Sequence, residues 1–301
     1  MDRALIITLS NIGDLVMTTP LMEGISTLMP ERSIDVLGDA RSSELLKNAP
    51  YVSTIFNRDK KGKFGQQLNL FNRLRSQRYD LIVDLRTGFL PYLLHAQHKY
   101  IKRKVLRAVE HSVEECYSCI QGYGKFPENI PNCKIYLSDD DIRKTEKLTK
   151  HLPPGKWLII APGANWPGKK WPAEKYGLIL KRVLEFKLFA AVLIVGSKED
   201  REENLAIDFS NMPVLDLRGQ TSLTLVAAVL SRANLFVGND SGLGHIASGV
   251  GLRTITLFGP GSPQRYRPWG KRGEVIVAPG ENLNNLQWQI VFERLTSAGS
   301  K

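Results

Sequence analysis

Trp157-Leu158-Ile159-Ile160 decides the fold, because this short apolar run restarts a strand pattern directly after the breaker Pro153-Pro154-Gly155. On both sides of it, apolar runs typical of buried strands alternate with segments of helical periodicity. The predicted strands are residues 4–9, 34–37, 81–85, 157–160, 190–195, 235–237, 254–258 and 275–277. The predicted helices are residues 14–28, 138–152, 173–186, 199–209, 223–230, 242–250 and 282–296. This alternation indicates an α/β protein whose parallel sheets are covered by helices on both faces.

The length of the chain predicts two such units, because 301 residues with 43% hydrophobic content can fill two cores of about 150 residues each. We place the boundary at the breaker, so residues 1–152 form an N-terminal domain and residues 153–301 a C-terminal domain. The last helix is expected to pack back on the first domain. In doubly wound sheets, ligands lie beyond the carboxyl ends of the strands, which predicts a site in a central cleft between the domains.

Composition points to a cytoplasmic protein. No apolar run approaches the roughly 20 residues that span a bilayer, and the N-terminus lacks the features of a signal peptide. Three cysteines, Cys116, Cys119 and Cys133, are too few and too odd in number for a disulfide framework. Cys116 and Cys119 form a C-x-x-C pair, for which both a zinc site and a helical turn with half-buried thiols stay open. The lack of a second tight pair favours the turn.

The formal net charge of +11 is concentrated in one part of the N-terminal half. Between residues 58 and 107, thirteen basic residues face three acids, which gives a net charge of +10. The basic residues are Arg58, Lys60, Lys61, Lys63, Arg73, Arg75, Arg78, Arg86, Lys99, Lys102, Arg103, Lys104 and Arg107. Such a concentration favours an anionic partner, which can be phosphorylated lipid, nucleic acid or the acidic inner membrane leaflet, over a merely solvated face.

The turn after the first strand, residues 10–20, holds Gly13 and Asp14 but no G-x-G-x-x-G dinucleotide fingerprint. Asp14 has two interpretations. It can stabilise the start of a helix through the macrodipole, or it can act as a general base that takes a proton from a hydroxyl. The two interpretations oppose each other, since a helix N-terminus favours the carboxylate and so weakens it as a base.

Two strand ends in the second half carry small and polar residues. The first runs from Ala161-Pro162-Gly163 to Lys169-Lys170-Trp171-Pro172, where backbone amides can approach a ligand and a lysine can neutralise a leaving diphosphate. The second is Gly238-Asn239-Asp240-Ser241-Gly242, a polar turn at a helix start that is suited to phosphate. Capping of the helix by Asp240 or Ser241 is the competing interpretation.

Two acidic runs are interpreted differently. The run Glu199-Asp200-Arg201-Glu202 follows a strand end, where a carboxylate can accept from ribose hydroxyls; an acid-rich first helical turn is the alternative. Asp139-Asp140-Asp141 looks like a D-x-D metal motif, but it lies at a helix start. We interpret it as capping, and no metal site is predicted.

Four of these segments, in this order, resemble glycosyltransferase family 9, the bacterial heptosyltransferases of lipopolysaccharide core assembly. The matching pieces are Gly13-Asp14-x-Val16-x-Thr18-Thr19-Pro20, Pro162-Gly163-Ala164 with Lys169-x-Trp171-Pro172, Asn239-Asp240-Ser241-Gly242-x-x-His245, and Leu257-Phe258-Gly259-Pro260. One departure is Leu243-Gly244, where the family often has Pro-Met.

The resemblance implies the GT-B fold, with two Rossmann-like domains, and an inverting transfer that needs no metal or other cofactor. It implies ADP-heptose as the nucleotide-sugar donor and an anionic, lipid-linked inner core of Kdo-lipid A or heptosylated core as the acceptor. The protein is then expected at the cytoplasmic face of the inner membrane, as a peripheral protein, with no nucleic-acid partner. Alternatives are another nucleotide sugar or glycan acceptor, a GT-B nucleotide-sugar epimerase, and a nucleic-acid-binding protein.

The resemblance also implies roles for individual residues. The catalytic residues are Asp14 as the base and Lys169 at the leaving group. The donor-binding residues are Ala164, Asn165, Glu199, Glu202, Thr221, Ser222, Leu223, Asp240, Ser241, Gly242 and His245. The acceptor-binding residues are Gly13, Thr18 and Arg86.

Overall fold

The computed structural model of the protein describes residues 3–30, 33–59, 62–86, 88–102, 110–120, 122–124, 129–202, 205–206 and 208–299. The chain forms two compact units, an N-terminal unit Met1–Tyr136 and a C-terminal unit Leu137–Lys301. In the part of the chain that the structure describes, no helix has the length and apolarity needed to cross a membrane.

The N-terminal unit is built on a five-stranded parallel sheet with the order β3-β2-β1-β4-β5. Its strands are β1 (Arg3–Ile7), β2 (Ser33–Gly38), β3 (Val52–Asn57), β4 (Tyr79–Asp84) and β5 (Ala96–Ile101). The three central strands confirm the predicted ones. Strands β3 and β5 are not among the predicted ones, because these edge strands are half-exposed and carry polar residues in place of a continuous apolar run.

Among its described residues, the N-terminal unit has five α-helices. They are α1 (Ile12–Leu28), α2 (Ala40–Ser43), α3 (Phe64–Arg75), α4 (Leu90–Leu93) and α5 (Ser112–Ser118). Helix α1 is buried over most of its length and contains Pro20, which has no N–H to donate. The Thr19 hydroxyl donates to the carbonyl oxygen of Val16 at 2.7 Å and so satisfies the acceptor that Pro20 leaves unpaired.

The C-x-x-C pair lies at the end of α5, which confirms the predicted helical turn. Cys116 is buried and Cys119 half-buried, and the thiol of Cys119 donates to the Glu115 carbonyl at 3.3 Å. Burial raises the pKa of Cys116 to about 12 and that of Cys119 to about 11. Within the described ranges, no group of three or more His, Cys, Asp or Glu side chains is placed to hold a metal ion.

The C-terminal unit has a six-stranded parallel sheet with the order β11-β10-β9-β6-β7-β8. Its strands are β6 (Trp157–Ala161), β7 (Ala191–Ile194), β8 (Val214–Asp216), β9 (Leu235–Asn239), β10 (Thr254–Phe258) and β11 (Gly273–Val277). Its helices are α6 (Asp139–Thr149), α7 (Ala173–Glu185), α8 (Leu223–Ser231), α9 (Gly242–Gly249), α10 (Pro263–Tyr266) and α11 (Trp288–Gly299). Helix α11 packs on α7 within this unit, and its predicted contact with the first domain stays a prediction.

The boundary between the units falls before α6, earlier in the chain than residue 152. Helix α6 packs on α8, the Thr224 hydroxyl donates to Asp141 at 3.4 Å, and Arg232 contacts Glu146 at 3.1 Å. Ser138 caps α6 by accepting from the Asp141 N–H at 3.0 Å. The acidic run at this helix start therefore belongs to the cap, as predicted, and the helix belongs to the second unit because of its partners.

Two predicted helices differ from the structure. The segment 199–209 begins with a short 3₁₀ helix, Glu199–Glu202, and Ala206 has a positive φ of 54° that an α-helix does not accommodate. The prediction of an α-helix over 199–209 is therefore wrong. The last helix starts at Trp288 and not near 282, because a separate 3₁₀ turn, Leu283–Asn285, precedes it and is capped by the side chain of Asn282.

One buried acid in the N-terminal sheet predicts a pH-dependent stability. Asp35 on β2 is fully buried, and its carboxylate lies 3.5 Å from the guanidinium of Arg3. Burial raises the pKa of Asp35 above its usual value. The folded protein therefore holds this proton to a higher pH than the unfolded chain does. The contribution of Asp35 to the free energy of unfolding is therefore fully present below the unfolded pKa of about 3.9, and it is lost as the pH rises through the folded pKa.

Replacing Asp35 with asparagine is expected to remove this pH-dependent loss of unfolding free energy. Between pH 4 and pH 7, the unfolding free energy of Asp35→Asn should fall less steeply with pH than that of the wild type, measured by urea unfolding. Asp208→Asn is the control of opposite sign, because hydrogen bonds from Ser210 lower the pKa of Asp208. A constant difference between Asp35→Asn and wild type across this pH range would contradict the prediction.

Candidate active site

One buried amide holds three segments together at the carboxyl end of the C-terminal sheet. Asn239, the last residue of β9, is fully buried. Its Nδ2 donates to the carbonyl of Pro162 in the loop after β6 at 2.6 Å. Its Oδ1 accepts from the backbone N–H of Trp171 at 3.1 Å and from the hydroxyl of Tyr176 at 2.9 Å. The amide thus fixes the two loops after β6 and β9 against the start of α7, a role that the sequence analysis does not assign.

Lys169 and Asp240, both predicted site residues, lie in contact. Lys169 ends a short 3₁₀ helix, Pro167–Lys169, in the loop after β6, and its Nζ lies 2.5 Å from Oδ2 of Asp240. The aspartate is buried, while a quarter of the lysine side chain remains exposed. An ammonium group has three donors, so the pair positions a positive charge beside the start of α9 and leaves donor capacity for a ligand.

The start of α9 has the features of an anion site. Ser241 is the N-cap residue, but its side chain makes no capping hydrogen bond. Its Oγ is buried and has no hydrogen-bond partner among the residues that the structure describes. The helix begins at Gly242, whose lack of a side chain leaves the first N–H groups accessible, and such groups bind phosphate well. His245 is buried one turn further along. The capping interpretation of Ser241 is therefore not supported.

The acidic run after β7 contributes a residue that the sequence analysis does not select. Asp200 is buried and accepts from the backbone N–H of Ser197 at 2.8 Å. Its carboxylate lies against Gly163, where a Cβ atom would overlap it, and it lies 3.8 Å from the Nζ of Lys170. Arg218 donates to its backbone carbonyl at 2.8 Å. The close approach of Gly163 to Asp200 joins the strand ends of β6 and β7.

Glu199 and Glu202, the predicted ribose contacts, are exposed on either side of Asp200. Hydrogen bonds from its own backbone N–H and from Ser197 lower the pKa of Glu199, so this carboxylate is ionised and available as an acceptor. The contact of either residue with a ribose stays a prediction.

The remaining predicted donor residues lie at two strand ends of the same unit. Ala164 and Asn165 follow Gly163 in the loop after β6, half-buried and exposed respectively. Ser222 is the N-cap of α8, where its Oγ accepts from a backbone N–H at 3.1 Å, and Thr221 and Leu223 flank it. The structure gives Ser222 a capping role, and an adenine contact of these three residues stays a prediction.

The N-terminal unit brings Asp14 and Arg86 to the carboxyl ends of β1 and β4. Asp14 is half-buried in the first turn of α1 and accepts from the Asn11 amide at 3.0 Å. The guanidinium of Arg86 donates to Oγ of Ser10 at 3.0 Å, in the same loop. Asp84 shapes the turn after β4, since its carboxylate accepts from the backbone N–H of Arg86 at 2.7 Å. A carboxylate and a guanidinium thus lie at neighbouring strand ends.

The other two predicted acceptor residues differ in their surroundings. Gly13 is half-buried in the first turn of α1. Thr18 is fully buried, and its hydroxyl donates to the carbonyl of Leu15 at 2.6 Å. This position gives Thr18 a role inside the helix and does not favour its predicted contact with an acceptor.

The basic cluster of the N-terminal half is only partly a free surface. Lys102 pairs with Glu115 at 3.1 Å and is mostly buried. The guanidinium groups of Arg73 and Arg75 lie over the rings of Phe56 and Phe71. Other predicted members lie outside the described residues, namely Lys60, Lys61, Arg103, Lys104 and Arg107.

Known proteins resemble this chain in sequence and in structure. Residues 67–295 match the profile of glycosyltransferase family 9 (heptosyltransferase). Lipopolysaccharide heptosyltransferase 3 of Escherichia coli K12 is 25% identical over 284 residues, covering 85% of this chain and 82% of that protein. The structure of E. coli ADP-heptose LPS heptosyltransferase II superposes with a TM-score of 0.85 at 23% identity, covering 100% of this chain and 99% of that one. The E. coli heptosyltransferase WaaC with ADP gives a TM-score of 0.81 at 17% identity, covering 98% and 99%. The predicted GT-B fold is thereby confirmed.

Proposed function

Since the chain belongs to glycosyltransferase family 9, the heptosyltransferase family, we propose that it transfers a heptose from ADP-heptose to the inner core of lipopolysaccharide. The observation that carries the proposal is the contact of Lys169 with Asp240 beside the start of α9. This arrangement suits a diphosphate, because an ammonium group and unpaired helix N–H groups converge on one place. It makes the C-terminal unit the donor half of the enzyme.

The proposed reaction is a single displacement with inversion at the anomeric carbon. Asp14 accepts the proton of an acceptor hydroxyl, and the hydroxyl oxygen forms a bond to the anomeric carbon. The bond from this carbon to the diphosphate oxygen breaks, and ADP leaves with the electron pair. Lys169 and the N–H groups of α9 stabilise the charge on the leaving diphosphate. Because these groups supply the positive potential, we propose that transfer needs no metal or other cofactor.

The acceptor half is assigned to the N-terminal unit. Asp14 and Arg86 lie at neighbouring strand ends, where a base and a guanidinium can meet the hydroxyl and the phosphates of one acceptor. We propose that the acceptor is the anionic, lipid-linked core oligosaccharide and that the enzyme works at the surface of the inner membrane.

Mass spectrometry tests the reaction directly. The protein is incubated with ADP-heptose and a panel of truncated core acceptors, and we expect one acceptor to gain a single heptose residue. ADP-mannose and UDP-glucose serve as alternative donors in parallel. Product formation from these sugars but not from ADP-heptose would overturn the donor assignment. Conversion of ADP-heptose to another nucleotide sugar with no acceptor present would favour an epimerase.

The role of Arg86 predicts a specific change in acceptor binding. Arg86→Ala should raise the acceptor KM by about 10- to 100-fold, because a hydrogen bond from a charged group contributes about 1.5 to 3 kcal/mol. The donor KM should stay unchanged. Arg78→Ala is the matched control, since Arg78 is an exposed arginine at the opposite end of β4. Equal increases of both KM values in Arg86→Ala would indicate damage to the fold.

A further inference from the structure

A group of large apolar side chains is exposed on the N-terminal unit. Phe64 and Phe89 are more than four-fifths exposed, and Tyr92 is 66% exposed. Leu68 and Leu93 are exposed nearby in the same elements. Isolated apolar side chains on a surface are ordinary, but a concentration of aromatic rings marks an interaction surface. We call these five residues, Phe64, Leu68, Phe89, Tyr92 and Leu93, the aromatic face.

The two parts of the aromatic face belong to segments that border one cavity. This cavity of about 500 Å³ lies between α3 and the segment before α4. Gln66 and Leu70 line it from α3, and Phe89 and Leu90 line it from the other side. The first two turns of α3, which carry Phe64 and Leu68, and the chain around Phe89 are therefore neighbours in space.

The core of the N-terminal unit does not account for the aromatic face. The side of α3 that packs on the sheet consists of Leu70, Phe71 and Leu74. Phe64 and Leu68 do not belong to this packed group; they are four residues apart, so they are neighbours on the helix surface, and both are exposed. These two side chains contribute little to folding, which leaves them available to a partner.

Exposed charge around the aromatic face is mainly basic. Arg58 lines the same cavity, and Lys63 directly precedes α3. Of the nearby acids, Asp59 also lines the cavity, whereas Asp84 is buried and accepts from two backbone N–H groups. Aromatic rings combined with basic side chains are typical of surfaces that enter the headgroup layer of an anionic bilayer.

We propose that the aromatic face docks on an anionic lipid bilayer, with its rings at the depth of the headgroups and with Arg58 and Lys63 contacting lipid phosphates. This inference rests on the proposed function, because a lipid-linked acceptor is presented at such a surface. It goes further by assigning the contact to named residues. The apolar rings provide affinity through burial, and the basic side chains provide preference for anionic lipid.

Vesicle co-sedimentation tests the proposal. The wild type should bind vesicles of 30% phosphatidylglycerol in phosphatidylcholine and bind pure phosphatidylcholine more weakly. Phe64→Ser/Phe89→Ser should lower the partition coefficient by at least about tenfold, since the variant loses the apolar area of two rings that binding would bury. Leu178→Ser/Phe186→Ser is the matched control, because it removes two exposed apolar side chains from the C-terminal unit. The partition coefficient of this control variant should equal that of the wild type.

A second variant separates membrane contact from loss of structure. Phe64→Tyr/Phe89→Tyr keeps rings that suit a headgroup layer and should recover most of the binding. Failure of the wild type to bind anionic vesicles would overturn the proposal, as would unchanged binding of the serine variant. Sedimentation velocity measures the oligomeric state and so tests the alternative that the aromatic face binds a second copy of the chain. A wild-type dimer that the serine variant converts to monomers would also overturn it.

Transfer to a deacylated, water-soluble acceptor keeps the two proposals distinguishable. We expect the serine variant to retain wild-type kcat with this acceptor and to lose turnover only with acceptor embedded in vesicles. Vesicle binding that follows the expected pattern without any transfer would refute the proposed function and leave the docking surface standing.

Discussion

Asp14→Asn is expected to lower kcat by about 10²- to 10⁴-fold, which is the usual contribution of general base catalysis. The substitution keeps the shape of the side chain but removes its ability to take a proton. Asp14 lies in the N-terminal unit, far in sequence from the donor residues, so the Kd for ADP should stay at the wild-type value. Single-turnover kinetics and calorimetry with ADP measure the two quantities separately.

Asn11→Ala is the matched control for Asp14. Asn11 lies in the same turn and donates to the Asp14 carboxylate at 3.0 Å, so its loss should affect only the position of the base. We expect less than about a tenfold decrease in kcat, because a single neutral hydrogen bond contributes about 1 kcal/mol. Turnover close to wild type in Asp14→Asn would refute the assignment of Asp14 as the base.

Lys169→Met is expected to lower kcat by about 10²- to 10³-fold, which is the usual effect of removing one hydrogen-bond donor that stabilises developing negative charge. Two effects add here. The variant loses the positive charge at the diphosphate, and it leaves the buried Asp240 carboxylate without the ammonium that contacts it at 2.5 Å. An unneutralised carboxylate beside a diphosphate repels the ligand.

Binding of ADP, AMP and adenosine separates these effects from damage to the pocket. Lys169→Met should strongly lower the affinity for ADP, lower the affinity for AMP less, and leave the affinity for adenosine almost unchanged. The double variant Lys169→Met/Asp240→Asn should recover part of the ADP affinity. Lys170→Met is the control, because Lys170 lies 3.8 Å from Asp200 and not at Asp240. An equal loss of affinity for all three ligands would show that Lys169 supports the pocket and does not contact the diphosphate.

The sequence predicts the interior of the fold better than its edges. Central strands such as β1 and β9 are continuous apolar runs, because both faces of a parallel sheet are buried. The edge strands β3 and β5 lack this signal, since half-exposed positions tolerate polar residues. The predicted helix over 199–209 starts as expected but does not continue. Ser197 and Asp200 exchange the two hydrogen bonds of a capping box at its first turn, whereas the positive φ of Ala206 is incompatible with an α-helix.

The site is predictable as a set of strand ends and less so as individual contacts. The pairing of Lys169 with Asp240 agrees with the prediction that both lie at one site. Among Glu199, Asp200 and Glu202, composition alone cannot indicate which acid is buried. That choice depends on Gly163, whose missing side chain admits the Asp200 carboxylate. Contacts of this kind join residues that are distant in sequence, and local sequence patterns do not predict them.

The amide of Asn239 bears on the rigidity of the proposed donor half of the site. Its hydrogen bonds to Pro162, Trp171 and Tyr176 are made entirely by groups of the C-terminal unit. The conformational entropy of the two loops is thus lost during folding, and little more has to be lost when a nucleotide binds. We therefore expect the proposed donor half to be a preorganised receptor, in which ligand affinity and loop rigidity depend on the same buried side chain.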